Sequence, residues 1–131
     1  MQESGPVDPA VHEFVLKEID SVPHLEALLL LWNSRPDPWP VEDVAKRLYL
    51  KTRIAKMLLQ DLTRQGFLKN HPDNSDQYRY DSGSDARDRL MALLDIDYRH
   101  HVVRISTLIH SKASSAVLDF ARAFRFTKER E

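Results

Sequence analysis

The hexapeptide Arg35-Pro36-Asp37-Pro38-Trp39-Pro40 constrains this chain more than any other stretch. Three prolines in five positions remove backbone donors and push each preceding residue out of the helical region. No helix crosses it, so the segment is an extended connector with Trp39 turned inward. Before it, Val11, Phe14, Val15 and Ile19 recur at helical spacing. Ser21 ahead of Val22-Pro23 then supplies a cap and an early-turn proline for a second helix through Leu25, Leu28, Leu29 and Trp32. After it, Val41, Val44, Ala45 and Leu48 predict a third helix of about two turns. Tyr49-Leu50 make a tight turn, and Ile54, Ala55, Leu58, Leu59 and Leu62 a fourth helix that Gly66 ends as a left-handed cap.

Beyond Gly66 the periodicity changes. Phe67 to Asn70 and Gln77 to Tyr80 are alternating runs on either side of the turn-rich His71-Pro72-Asp73-Asn74-Ser75-Asp76, which reads as a hairpin. Asp81-Ser82-Gly83-Ser84-Asp85 caps a long helix whose stripe, Leu90, Leu93, Leu94, Tyr98, Val102, Ile105, Leu108 and Ile109, runs over more than five turns. Ser111 to Ser115 interrupts it, and a last helix with Val117, Leu118, Phe120, Ala121 and Phe124 leads to the charged tail Thr127 to Glu131. Residues 1–9, with one glycine and two prolines and no periodicity, are expected to be a flexible lead.

Composition narrows the chemistry. A chain of 131 residues with 42% hydrophobic side chains builds one core. No cysteine is present, which removes disulfide scaffolds, thiolate metal sites and cysteine nucleophiles, and fits a reducing cytoplasmic compartment. The longest apolar run, Ala27 to Trp32, is too short for a membrane span, so no membrane association is expected. With 19 basic and 20 acidic residues the net charge is -1, so any anion-binding surface must be local. Residues 1–36 hold 2 basic and 6 acidic side chains, 37–81 hold 8 and 7, and 82–131 hold 9 and 7.

The run WPVEDVAKRLYLKTRIAKMLLQDLTRQGFLKN, residues 39–70, followed by the QYRY strand, resembles the winged helix-turn-helix core of bacterial transcriptional regulators. The resemblance covers residues 21–81. Ala45 matches the small residue at the turn, Leu48 and Leu50 the leucines that bracket it, and Gly66-Phe67-Leu68 the exit into the wing. A flanking N-terminal helix and long C-terminal helices are similar to the layout of MarR-like dimeric regulators. The implied fold is mainly α with a small β-hairpin wing: a lead over 1–9, an N-terminal helix plus winged core over 10–81, and a C-terminal helical dimerisation or packing region over 82–131. Pro40 stands at the usual cap position, Tyr49 replaces the frequent turn glycine, and Met57 stands where many relatives have arginine.

Lys46, Arg47, Lys51, Arg53 and Lys56 follow one another with no acidic residue between them. Once Ala55, Leu58, Leu59 and Leu62 are buried, Lys51, Thr52, Arg53, Lys56, Met57 and Gln60 fall on the remaining face, and Arg64 continues it. An α-helix fits the major groove with its early residues at base edges, so these residues, with Arg79 on the hairpin, are the expected contacts to double-stranded DNA. The acids Asp73 and Asp76 at the wing tip repel phosphate, which makes binding helix-led. The alternative is a winged-helix module that docks on a protein partner without binding DNA, favoured by the near-neutral charge.

A helix of about 25 residues spans about 38 Å, more than a core of this size covers, so the surplus predicts a two-fold homodimer. Its expected interface is Phe14, Leu94, Tyr98, His101, Val102, Ile105 and Ile109, with packing of the last helix back onto the long one as the competing arrangement. Six histidines raise a metal site, but His100 and His101 point about 100° apart on a helix, and Asp97 with His101 lacks a third ligand. Neither a metal, a cofactor nor a catalytic residue is therefore expected. With 3 glycines there is no phosphate-binding loop, and no nucleophile elbow occurs.

Overall fold

The computed structural model describes residues 8–112. Of the lead expected over 1–9, residues 1–7 lie outside them, as do the last helix and tail expected beyond residue 112, while Asp8 and Pro9 are already the cap and first residue of a helix. The first helix, α1 (Pro9–Glu18), begins on Asp8, whose carboxylate accepts the Ala10 N–H at 2.8 Å, with Pro9 at the position where a missing donor costs nothing. α2 (Val22–Asn33) is capped by Ser21 and buries Leu25, Ala27, Leu28, Leu29, Leu31 and Trp32 together with His24. Apolar nearly all round, it is the central rod of the core.

Of the connector, Trp39–Pro40 forms a short strand, β1, that pairs antiparallel with a later strand through Trp39 opposite Tyr78 and Pro40 opposite Gln77. Proline is tolerated there because the strand lies on an edge. α3 (Val41–Leu48) follows with no side-chain cap from Pro40, and Glu42 and Asp43 in its first turn complement the helix dipole instead. The turn holds Tyr49 in the left-handed region, and α4 (Thr52–Arg64) packs Ala55, Leu58, Leu59 and Leu62 inward before Gly66, φ +91°, reverses the chain.

β2 (Leu68–His71) and β3 (Asn74–Tyr80) form the hairpin, in register at Leu68 with Tyr80 and Lys69 with Arg79, with an irregularity between Asn70 and His71. The strands reach further into the expected turn hexapeptide than the composition implies. The sheet has three strands in the order β1-β3-β2, one more than the alternating pattern predicts. Phe67 stacks edge-on against Phe14 of α1 at 5.7 Å, and Tyr80 against Trp32 of α2 at 5.0 Å, which seats the wing on the helices.

α5 (Asp85–His100) starts on Ser84, whose hydroxyl accepts the Arg87 N–H. The expected unbroken helix through Ile109 is corrected here, because α5 ends at His101, φ −136°, and helix resumes over 102–112. A straight helix of that length overruns a core of this size, whereas the bend returns Ile105 and Ile109 to the core, where they are as buried as Met91 and Leu94. Lys112 fastens the resumed helix to the end of α1, donating to the Ile19 carbonyl at 2.9 Å. Ser111, expected to begin an interruption, is still helical.

Candidate nucleic-acid interface

α3, the Tyr49 turn, α4 and the β2–β3 hairpin form a helix-turn-helix followed by a wing, and α4 is the helix turned outward. Its buried face packs against α2 and β2, and Lys51, Thr52, Arg53, Lys56, Met57, Gln60 and Arg64 are all exposed on the other side. The 3.6-residue repeat of Ala55, Leu58, Leu59 and Leu62 sets the buried face, with Ile54 half-buried at its margin and Met57 left outside it.

The far end of α4 is held from three directions. Asp61 Oδ2 accepts from His24 Nε2 at 2.8 Å, and His24 Nδ1 lies 2.6 Å from the Ser21 hydroxyl that caps α2. Gln65 Nε2 donates to the Glu18 carbonyl of α1 at 2.7 Å. Arg87 of α5 donates to the Gln65 carbonyl at 2.8 Å while its guanidinium lies 4.5 Å over the Phe67 ring. The His24 hydrogen bond, helped by Arg64, holds the Asp61 carboxyl below its ordinary value against the opposing effect of burial. Among the described residues no such anchor reaches the start of α4, and Lys51 at its N-cap makes no side-chain capping bond.

Charge on the outward surface is distributed unevenly. Lys56 Nζ sits 3.4 Å from Asp76 of the wing, and Arg64 pairs with Asp61. Arg79 is half-buried and turned onto Asp81 at 3.3 Å, with Lys69 on the same carboxylate at 3.5 Å. Lys51 and Arg53 have no ion pair among the described residues. Between α4 and the wing runs an open polar groove of about 450 Å³ lined by Lys56, Gln60, Thr63, Arg64, Asn70, Ser75 and Tyr78.

The structure thus brings seven of the eight expected contacts onto one surface, and Arg79 sits apart against Asp81. The expected dimer residues separate. Phe14, Leu94, Ile105 and Ile109 are buried in the chain's own core, Tyr98 and His101 are half-buried, and Val102 is exposed. Sequence reasoning did not find the Ser21, His24 and Asp61 chain, because 37 residues separate its histidine from its carboxylate. Only the short spacing of Ser21 and His24 at a helix start was a local signal. Among the described residues no group of three or more His, Cys, Asp or Glu could hold a metal ion, and no helix is long and apolar enough to cross a membrane.

Helix-turn-helix, hairpin and β1 closing the sheet together define a winged helix-turn-helix protein, mainly α with a small β wing. No family model matches the chain, and no curated protein matches it. Among solved structures, the chain is similar to the PcaV transcriptional regulator from Streptomyces coelicolor, solved with its natural ligand. That match has 18% sequence identity and a TM-score of 0.45, covering 98% of this chain and 100% of that one.

Proposed function

We propose that this protein is a DNA-binding transcriptional regulator that reads a major groove with α4. The observation that carries this reading is the outward face of α4, where Lys51, Thr52, Arg53, Lys56, Met57 and Gln60 are exposed beside Lys46 and Arg47 of α3. Cations there neutralise phosphates, and Thr52, Met57 and Gln60 discriminate bases. A two-fold homodimer places two such helices on successive grooves of a palindromic site. Its surface is the exposed apolar row Leu93, Ile96, Val102 and Val103, flanked by Tyr98 and His101, because Phe14, Leu94, Ile105 and Ile109 are spent within one chain.

The second reading, a module that docks on a protein partner, is favoured by the acidic wing, where Asp76 occupies Lys56 and Asp73 is exposed at the tip. Binding to random-sequence duplex DNA at low and then moderate salt, followed by selection of retained sequences, separates the two. An enriched palindrome supports the dimeric reader, and no retention at ~50 mM salt supports the protein module.

A further inference from the structure

Both helices of the turn end on the same device. The Leu50 N–H donates to the Ala45 carbonyl at 2.9 Å and the Phe67 N–H to the Leu62 carbonyl at 3.1 Å, each bond closing around a left-handed residue. In the second case that residue is Gly66, and in the first it is Tyr49, at φ 58° and ψ 45°. A side chain carrying a Cβ is disfavoured in this region, which glycine enters at little cost. Tyr49 is also 94% exposed, so no packing offsets the strain. A glycine serves the fold better at this position, and an exposed ring in a strained backbone points to a task outside folding.

The surroundings indicate what the ring meets. Lys46 and Arg47 close α3 on one side of Tyr49, Lys51 and Arg53 open α4 on the other, and no carboxylate occurs from residue 44 to residue 60. A ring among cations matches a polyanion with apolar sugar faces, and tyrosine hydroxyls are donors to phosphate oxygens. Resting on the DNA reading above, we propose that Tyr49 is a nucleic-acid contact residue. Its ring lies on the sugar–phosphate backbone next to α4, and its hydroxyl donates to a phosphate oxygen.

A folding role and a contact role differ in sign. Tyr49→Gly is expected to raise the melting temperature by roughly 2–6 °C and to weaken binding to a random-sequence duplex at ~50 mM salt by about three- to tenfold. Tyr49→Asn, which also tolerates the left-handed region without the freedom of glycine, weakens binding similarly. Tyr49→Phe falls between, with an unchanged salt slope because no charge is altered. Thermal unfolding and fluorescence anisotropy on the full chain read both quantities. Variants that bind as tightly as wild type overturn the contact and leave the DNA reading standing. A Tyr49→Gly chain that melts below wild type assigns the ring to folding and also overturns the contact. If wild type itself does not bind duplex at low salt, the contact and the DNA reading fall together, and the basic turn is assigned to an acidic protein partner.

Discussion

His24 Nε2 lies 2.8 Å from Asp61 Oδ2, joining the start of α2 to the outward helix through a histidine that is 8% exposed. An ionised carboxylate only accepts, so Nε2 carries the proton, and the Ser21 hydroxyl both receives the His24 N–H and meets Nδ1. Asp61 is held below its ordinary value of 3.8, first by the His24 bond. A depressed carboxyl contributes stability that is present above its unfolded value and lost as pH falls through the folded one. Asp61→Asn is therefore expected to cost about 1–3 kcal/mol at neutral pH. It also shallows the acid limb of a stability-versus-pH curve below 3.8, as read by urea unfolding across that range.

Arg53→Ala with Lys56→Ala removes two cations from the outward face of α4 while touching no buried residue. Each lost phosphate contact lowers the slope of log affinity against log salt by about 0.9. Affinity and slope that both match wild type count against the assignment of this face.

Asp76 and Lys56 are both exposed, so their 3.4 Å pair contributes little to folding. On the DNA reading proposed above, its effect is competition with phosphate for the same ammonium. Asp76→Asn is expected to leave the melting temperature within about 1 °C and to tighten duplex binding a few-fold, with a salt slope steeper by up to about 0.9.

Leu93 and Ile96 are 42% and 51% exposed on α5, and Val103, just beyond the break at His101, is 78% exposed. Ile96→Glu with Val103→Glu is expected to shift sedimentation toward the monomer at unchanged helix content, whereas Leu94→Ala, which empties a core site, costs about 2–5 kcal/mol. A sedimentation profile unaffected by the two glutamates counts against the proposed dimer through this face.

Burial pushes the Tyr80 phenol up to about 12, with Asp88, which accepts its hydroxyl at 2.8 Å, adding to the rise. A raised phenol favours the folded state fully below its ordinary value of 10.0, and this stability is lost as pH climbs from there toward about 12. Tyr80→Phe is expected to flatten that alkaline loss, measured by denaturant titration across the window.

Much of this architecture was legible because its signals are local. Pro36, Pro38 and Pro40 forbid a helix, Ser21 and Gly66 mark helix ends, and the repeat Ala55, Leu58, Leu59, Leu62 leaves only one possible outward face for α4. The break at His101 was hidden because Tyr98, Val102 and Ile105 keep three- and four-residue spacing straight through it, and periodicity does not register a single bent residue. β1 was missed because two residues ending in proline carry no alternation. The partner of Lys56 was beyond reach for a different reason, since Asp76 meets it only through the docking of the wing, whereas Arg79 turns onto Asp81 two residues along its own strand exit.

The anchors of α4 are gathered at one end, at Asp61 and Gln65, with the inward row supplying the rest. Residues 51–53, 57 and 60 take no part in those anchors, and Lys56 is tied to the scaffold through Asp76 of the wing. On the DNA reading, substitutions there change the sequence preferred while the chain keeps its shape. A different set of side chains can be grafted onto this face without repacking a single core residue.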